Sequence, residues 1–255
     1  MRAIRAIAVN TLREALRDRV LYLFLGFAVL LLVSSKLFGM LTVGDEGKVI
    51  KDLGLFGVQF FSMLIAVLMS VLLISREVDS RTVYNILAKP VPRWQFLIGK
   101  YAGLLATVLV NLALMVALLL LVVLLYEGQF DVRLLIAGAM TLMEMTVVAA
   151  FATLFAVLTR PMLGSVLTLA VFVIGHLTRD LWLLTGHLQG EGVRWLIGAA
   201  YYLLPNLERF NFKTEIVHSL PIPAAAVGWA VVYGLAYTGV ILLLACLRFG
   251  HKDLA

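Results

Sequence analysis

Apolar residues in this chain come in long blocks rather than in alternation. Six blocks, at about 20–40, 53–75, 101–126, 132–158, 162–184 and 224–247, each reach the roughly 20 residues that a helix needs to cross a bilayer core. The polar breaks at 42–52, 126–131 and 159–161 are short enough to be plain connectors. Residues 1–19 differ again: Ile4, Ile7, Ala8, Leu12 and Leu16 recur at helical spacing with arginines between them, which predicts an amphipathic helix lying at a membrane surface. A simple extension of the first span is the alternative. Two segments have room for function, 76–103 and 185–223. The second holds an apolar stretch, 193–204, too short to span and too apolar for a free loop, followed by PNLERFNFKTEIVHSLPIP with its helix-breaking prolines. A short helix lying in the interface or dipping into the membrane is expected there, because non-helical backbone at depth must be buried against protein.

Composition agrees with the pattern. Of 255 residues, 62% are hydrophobic and 14% charged, and the mean hydropathy of +1.02 lies outside the range of soluble domains. The expected fold is all-α, a polytopic membrane protein of six transmembrane helices in a single transmembrane domain covering 1–255. Charge gives the orientation. With both termini inside, 13 of the 21 Lys and Arg residues fall on the inner side, which carries +8 against −1 outside. The positive-inside rule then places 76–103 and both termini in the cytoplasm. The basicity is read as topology and attraction to anionic lipid; no basic tract is long enough to argue for nucleic acid. The first block follows a charged leader of about 20 residues with no small-x-small pattern after Val33, so it is expected to be a retained span and not a signal peptide. The single cysteine, Cys246, sits in an apolar helix and excludes a disulfide framework.

The segment REVDSRTVYNILAKPVPRWQFLIGKYAG, 76–103, carries Arg76, Arg81, Lys89, Arg93 and Lys100 against Glu77 and Asp79. From Asp79 to Lys89 a short helix places Val83, Ile86 and Leu87 near one face, and Pro90 and Pro92 end it. Such a helix, held beside the membrane by two rigid spans, can pass the motion of a docked protein into them. The residues Glu77, Thr82, Leu87, Pro90, Val91, Arg93, Phe96, Gly99 and Lys100 resemble the cytoplasmic loop of type-2 ATP-binding-cassette exporter permeases. Where that family often has Gly before the Thr, this chain has Arg81.

The resemblance implies an amphipathic N-terminal helix, a cytosolic coupling helix between spans two and three, and re-entrant outer helices before span six. It also implies a dimer, with itself or with a paralogous permease, in a bacterial or archaeal cytoplasmic membrane. The partners it implies are separate cytosolic ATPase subunits docking at Glu77, Asp79, Arg81, Thr82, Val83, Ile86, Leu87 and Arg93. AKPVPRWQFLIGKY together with PNLERFNF is most similar to the branch named for maturation of multicopper enzymes, but Met140, Met143 and Met145 read as packing residues, not copper ligands. No cofactor is expected in the chain. ATP and magnesium would belong to the partner, since Gly99-Lys100 is followed by Tyr101 and Trp94 stands where a P-loop needs its first glycine.

Glu144, within LMEMTVV, is the conspicuous ionisable residue inside a span, and such a group is a functional candidate by default. It is either part of a translocation path or an interhelical contact, with Asn111 or Gln59 as partner. His176, Arg179 and Asp180 form a second group, His176 and Asp180 sharing a helix face. Counted from Met162, they fall near the outer interface, where anchoring competes with contact to a substrate. Gly99 and Gly103 form a GxxxG pair suited to close helix packing within the chain. The rivals to an ATP-driven exporter are an ion- or proton-coupled secondary transporter using Glu144 and a polytopic membrane enzyme, the latter disfavoured by the sparseness of polar residues in the spans.

Overall fold

The computed structural model describes residues 2–39, 45–79, 92–184, 192, 198 and 203–250. Among these there is no strand. The helices are α1 (Arg2–Ala15), α2 (Arg19–Gly39), α3 (Glu46–Asp79), α4 (Arg93–Glu127), α5 (Arg133–Leu158), α6 (Pro161–Leu184), the five-residue α7 (Lys213–Val217) and α8 (Ala224–Gly250), with a 3-10 turn at Leu207–Phe210. Four of them, α3, α4, α5 and α8, are long and apolar enough to cross a membrane. The apolar helices Leu21–Ser34 in α2 and Pro161–Leu177 in α6 are shorter over the described residues. The six expected spans thus appear as four that meet the length criterion and two shorter apolar helices.

Helix boundaries depart from the sequence reading at two places. The break at 42–52 is not all connector: α3 starts at Glu46, and its first turns carry the polar residues Lys48, Lys51 and Asp52. Lys51 explains why a helix begins there. Its buried ammonium lies 2.9 Å from Glu127 at the end of α4 and 2.9 Å from Asp131 in the next turn, so the first charged turn of α3 is held by the α4–α5 connection. At its other end α3 continues through Arg76 and Glu77 to Asp79. The expected coupling helix at 79–89, apart from Asp79 itself, lies outside the described residues, as do nearly all of 193–204 and the tail after Gly250.

α5 is the central rod. It packs against α3, α4, α6 and α8, and 72% of its apolar window is buried, as in α3, against 28% for α8. Four threonines within the bundle are satisfied locally. Thr107, Thr146, Thr153 and Thr168 each donate a hydroxyl to the carbonyl four residues earlier, which lets threonine sit in an apolar helix without an orphan group. Tyr101 donates to the Thr146 carbonyl at 2.9 Å and ties α4 to α5.

α1 is a separate helix and not an extension of the first span, since a turn at 16–18 breaks the chain before α2. It lies along the start of α4, where Gly99 and Gly103 open the seam. A Cβ on Gly103 would fall 2.5 Å from Thr11 Cβ and 2.6 Å from the Ala8 carbonyl oxygen, and one on Gly99 2.8 Å from Ile7. The GxxxG pair thus seats the N-terminal helix. Lys100, buried on this seam, reaches Glu14 at 3.5 Å.

Candidate functional site

The sequence placed its candidates in two groups. Of the first, Glu77 and Asp79 fall in the last turn of α3, while Arg81, Thr82, Val83, Ile86 and Leu87 lie outside the described residues. Arg93 is the first residue of α4, and its guanidinium makes long contacts of 3.5 and 3.4 Å to the carbonyl oxygens of Phe249 and Gly250. Those carbonyls close the described part of α8, on the C-terminal side where a helix attracts a cation. Arg93 therefore joins the start of α4 to the end of α8.

The second group is a buried polar cluster. Glu144 projects from the middle of α5 and is 1% exposed. Gln59 of α3 donates Nε2 to Glu144 Oε2 at 2.8 Å. The same amide nitrogen lies 3.1 Å from His176 Nε2, and its carbonyl Oε1 accepts from the Lys213 ammonium. One glutamine thus bridges a cation on α7, a carboxylate on α5 and an imidazole on α6. Its amide orientation follows from these partners, because an ammonium can only donate.

His176 completes the group. Its Nδ1 is 3.1 Å from the Phe172 carbonyl oxygen, which only accepts, so Nδ1 carries a proton. Nε2 then faces Gln59 and, at 3.3 Å, Glu144 Oε1. That last approach has the distance of an ion pair without the angle of a hydrogen bond, and Glu144 Oε1 has no hydrogen-bond donor in the structure. His176 therefore sits level with Glu144. Both lie about 21 Å along their helices from the α5–α6 turn, at roughly 1.5 Å per residue. The side chains of Arg179 and Asp180 are outside the described residues. Of the two partners considered for Glu144 it is Gln59 that meets it; Asn111, also buried, has no hydrogen-bond partner in the structure.

Lys213 was not among the sequence candidates. It arrives on the segment 203–217, which is fitted into the bundle at several points. Leu207, Phe210 and Ile216 are buried. Gly175 of α6 leaves room for the Pro205 carbonyl and Leu207, which a Cβ would meet at 2.8 Å, and Gly234 of α8 takes the Phe210 ring at 3.1 Å. Tyr237 donates to the Leu203 carbonyl and the Asn206 amide donates to Tyr233, while Arg209 lies 4.9 Å over the Tyr233 ring. Seated this way, the Lys213 ammonium stands 5.8 Å over Phe56. Burial pushes it below the usual lysine range, an effect partly opposed by Glu144, Asp52 and Glu208. The cleft between Lys213 and Glu144, walled by Leu55, Ala137, Thr141 and Phe212 among others, has room for about one water molecule.

Chemically the cluster offers a carboxylate, an imidazole and an amide in a charge-compensated arrangement. It presents no nucleophile beside a base, and groups of three or more His, Cys, Asp or Glu able to hold a metal are absent among the described residues. Met140 and Met145 are buried in helix packing and Met143 lies against the same core.

No curated protein matches the sequence. The family model described as ABC-2 family transporter protein matches residues 16–178, a span that runs from before α2 into α6 and includes Gln59, Glu144 and His176 but stops short of Lys213. With well over half of its length matched, this multi-pass, all-helical chain belongs to the ABC-2 family of transporter proteins.

Proposed function

We propose that the chain is the membrane permease subunit of an ATP-binding-cassette exporter, working as a dimer with two cytosolic ATPase subunits that bind ATP and magnesium. Six crossings, with α2 and α6 completing the four long helices, would put both termini and 80–91 on one side, and the positive-inside rule makes that side the cytoplasm. The observation that carries the reading is that the matched family region includes 80–91 and that this segment joins the ends of two helices longer than a membrane requires. α3 has 34 residues and α4 has 35, or about 50 Å each at roughly 1.5 Å per residue, against a hydrocarbon core of about 30 Å. Both therefore project beyond the bilayer. The far end of α3 is fixed by Lys51, which leaves the surplus on the side of 80–91.

A force applied to 80–91 would act on two rods at once. One of them, α4, also holds α1 through Gly99 and Gly103 and holds the end of α8 through Arg93. Tilting α4 would therefore move three elements together, which suits alternating access driven by ATPase closure. The sparsely buried α8 presents Trp229, Val232, Leu235 and Leu243 to its surroundings, apolar surface suited to lipid and to a second permease copy. The carboxyl of Glu144 lies within the transport unit and not in an enzyme site.

Replacing Val83 and Leu87 together with Asp tests the docking surface. Both residues fall outside the apolar blocks of the sequence, so membrane insertion should persist while co-purification of the ATPase, or the coupling of its hydrolysis to transport, is lost. Wild-type binding and coupling in the double variant would place docking elsewhere. Transport that continues without any ATPase would instead favour a secondary transporter built on Glu144.

A further inference from the structure

The half-buried Lys213 ammonium meets three kinds of partner at once: the carbonyl of a glutamine, the face of an aromatic ring and, behind the glutamine, a carboxylate. This is how proteins recognise an organic ammonium group. Two features set the arrangement apart from an ordinary structural pair. Among the described residues Glu144 Oε1 is buried and accepts no hydrogen bond, the His176 Nε2 edge at 3.3 Å being its near polar neighbour, so the acceptor side of the site is not used up. Moreover, Phe210, Asn211, Phe212 and Lys213, which form one wall of the cleft beside Glu144, all come from the segment 203–217. The acceptors, Gln59 on α3 and Glu144 on α5, and the ring of Phe56 belong to the long helices instead.

We propose that Gln59, Glu144 and Phe56 form a binding site for an organic ammonium group, held in this conformation by the chain's own Lys213 and opened to a cationic amphiphile when the segment 203–217 withdraws. The proposal deepens the permease reading, since it names the chemical class of cargo that the site would take, but the binding itself requires neither ATP nor the ATPase. The other charged and titratable groups that bear on the site are compatible with a cation. Asp52 and Glu208 add negative potential at the position of the ammonium. His176 turns toward Gln59 and Glu144 from α6 with its Nδ1 proton engaged by Phe172. The apolar neighbours Leu55, Ala137 and Phe212 would receive a hydrocarbon tail. The present cleft, with Lys213 in its wall, has room for about one water molecule; space for a ligand arises only with displacement of that segment, whose seats at Gly175 and Gly234 are van der Waals notches and not covalent ties.

A tethered competitor lowers the apparent affinity of a free ligand by the fraction of time that it fills the site. The full chain in lipid nanodiscs, without nucleotide, is titrated with radiolabelled n-hexylamine at neutral pH, and with n-hexanol as the uncharged counterpart. Lys213→Met, which keeps the apolar stem and removes the cation, should bind hexylammonium at least about tenfold more tightly than the native chain. Adding Glu144→Gln to Lys213→Met should abolish that gain, and hexanol should not distinguish the three proteins. Phe210→Ala, which loosens the segment at Gly234 while keeping Lys213, gives a second route to the same gain and covers the case of a Lys213→Met protein that does not fold. Equal hexylammonium binding by the native chain and these single variants, or a gain that survives Glu144→Gln, overturns the site. Either result leaves the permease reading standing, which fails on a different observation, the loss of any ATPase association.

Discussion

Gln59 shows how much one side chain can hold together inside an apolar bundle. A carboxylate placed at mid-span costs on the order of 2.5–3.5 kcal/mol by insertion scales, and a buried ammonium is costly in the same way. The amide joins the two, with one donor on Glu144 and its acceptor on Lys213. Gln59→Leu should therefore strand both charges, with an expected loss of about 1–3 kcal/mol, the usual cost of leaving a buried polar group unsatisfied. In chemical denaturation of the solubilised chain, Gln59→Leu combined with Lys213→Met should be less destabilised than Gln59→Leu alone, because one of the two orphans has been removed. A double variant no more stable than the single one would show that the bridge carries no such energy. Glu144 was legible from sequence because a lone acid in LMEMTVV has no bland explanation. Lys213 was not, because charge counting assigned it to the outer loop, and nothing in PNLERFNFK says that this lysine turns inward. That His176 meets Glu144 was not legible either, because the rise per residue gives each residue a height on its own helix without saying which helix faces it.

Among the elements, the seam between α1 and α4 tests helix packing by small residues. Leu at position 103 would place its Cβ against a backbone oxygen, the Ala8 carbonyl, and not against a flexible side-chain tip. α1 must then shift, and overpacking of this kind typically costs about 1–3 kcal/mol. Gly103→Leu should make Arg13 and Arg17, at the end of α1 and in the turn that follows it, more susceptible to trypsin. Gly26→Leu is the control, because nothing lies within 4 Å of a Cβ there. Equal cleavage of the two variants would show that α1 is held by something other than the glycine notch. The spacing of Gly99 and Gly103, and the apolar face of residues 1–19, were both visible in the sequence. Their meeting was not, since periodicity gives a helix its buried face without naming its partner. Helix ends were misjudged for a related reason. Lys51 reads as a loop residue until Glu127 and Asp131, the latter 80 positions away, are seen to neutralise it.

At the scale of the whole molecule, geometry and charge can be tested together. Arg93 brings the start of α4 to the last turn of α8, and α1 lies along the same part of α4. The N-terminal helix, the flanks of 80–91 and the end of α8 therefore share one end of the bundle. Lys51, Glu127 and Asp131 mark the opposite end, toward which the segment before α8 leads. Because these assignments are locked to one another, fixing the side of one fixes them all. By the positive-inside rule the excess of Lys and Arg on the first end would put it in the cytoplasm, which is the side we propose for it. With Cys246 replaced, Lys89→Cys should react with a membrane-impermeant maleimide only after the cells are broken, whereas His218→Cys, at an exposed position beyond α7, should react in intact cells. Labelling of position 89 from outside would invert the orientation. Labelling of both positions from the same side would be more damaging, since it would require the two ends of the bundle, held about 50 Å apart by α3 and α4 at roughly 1.5 Å per residue, to face one compartment.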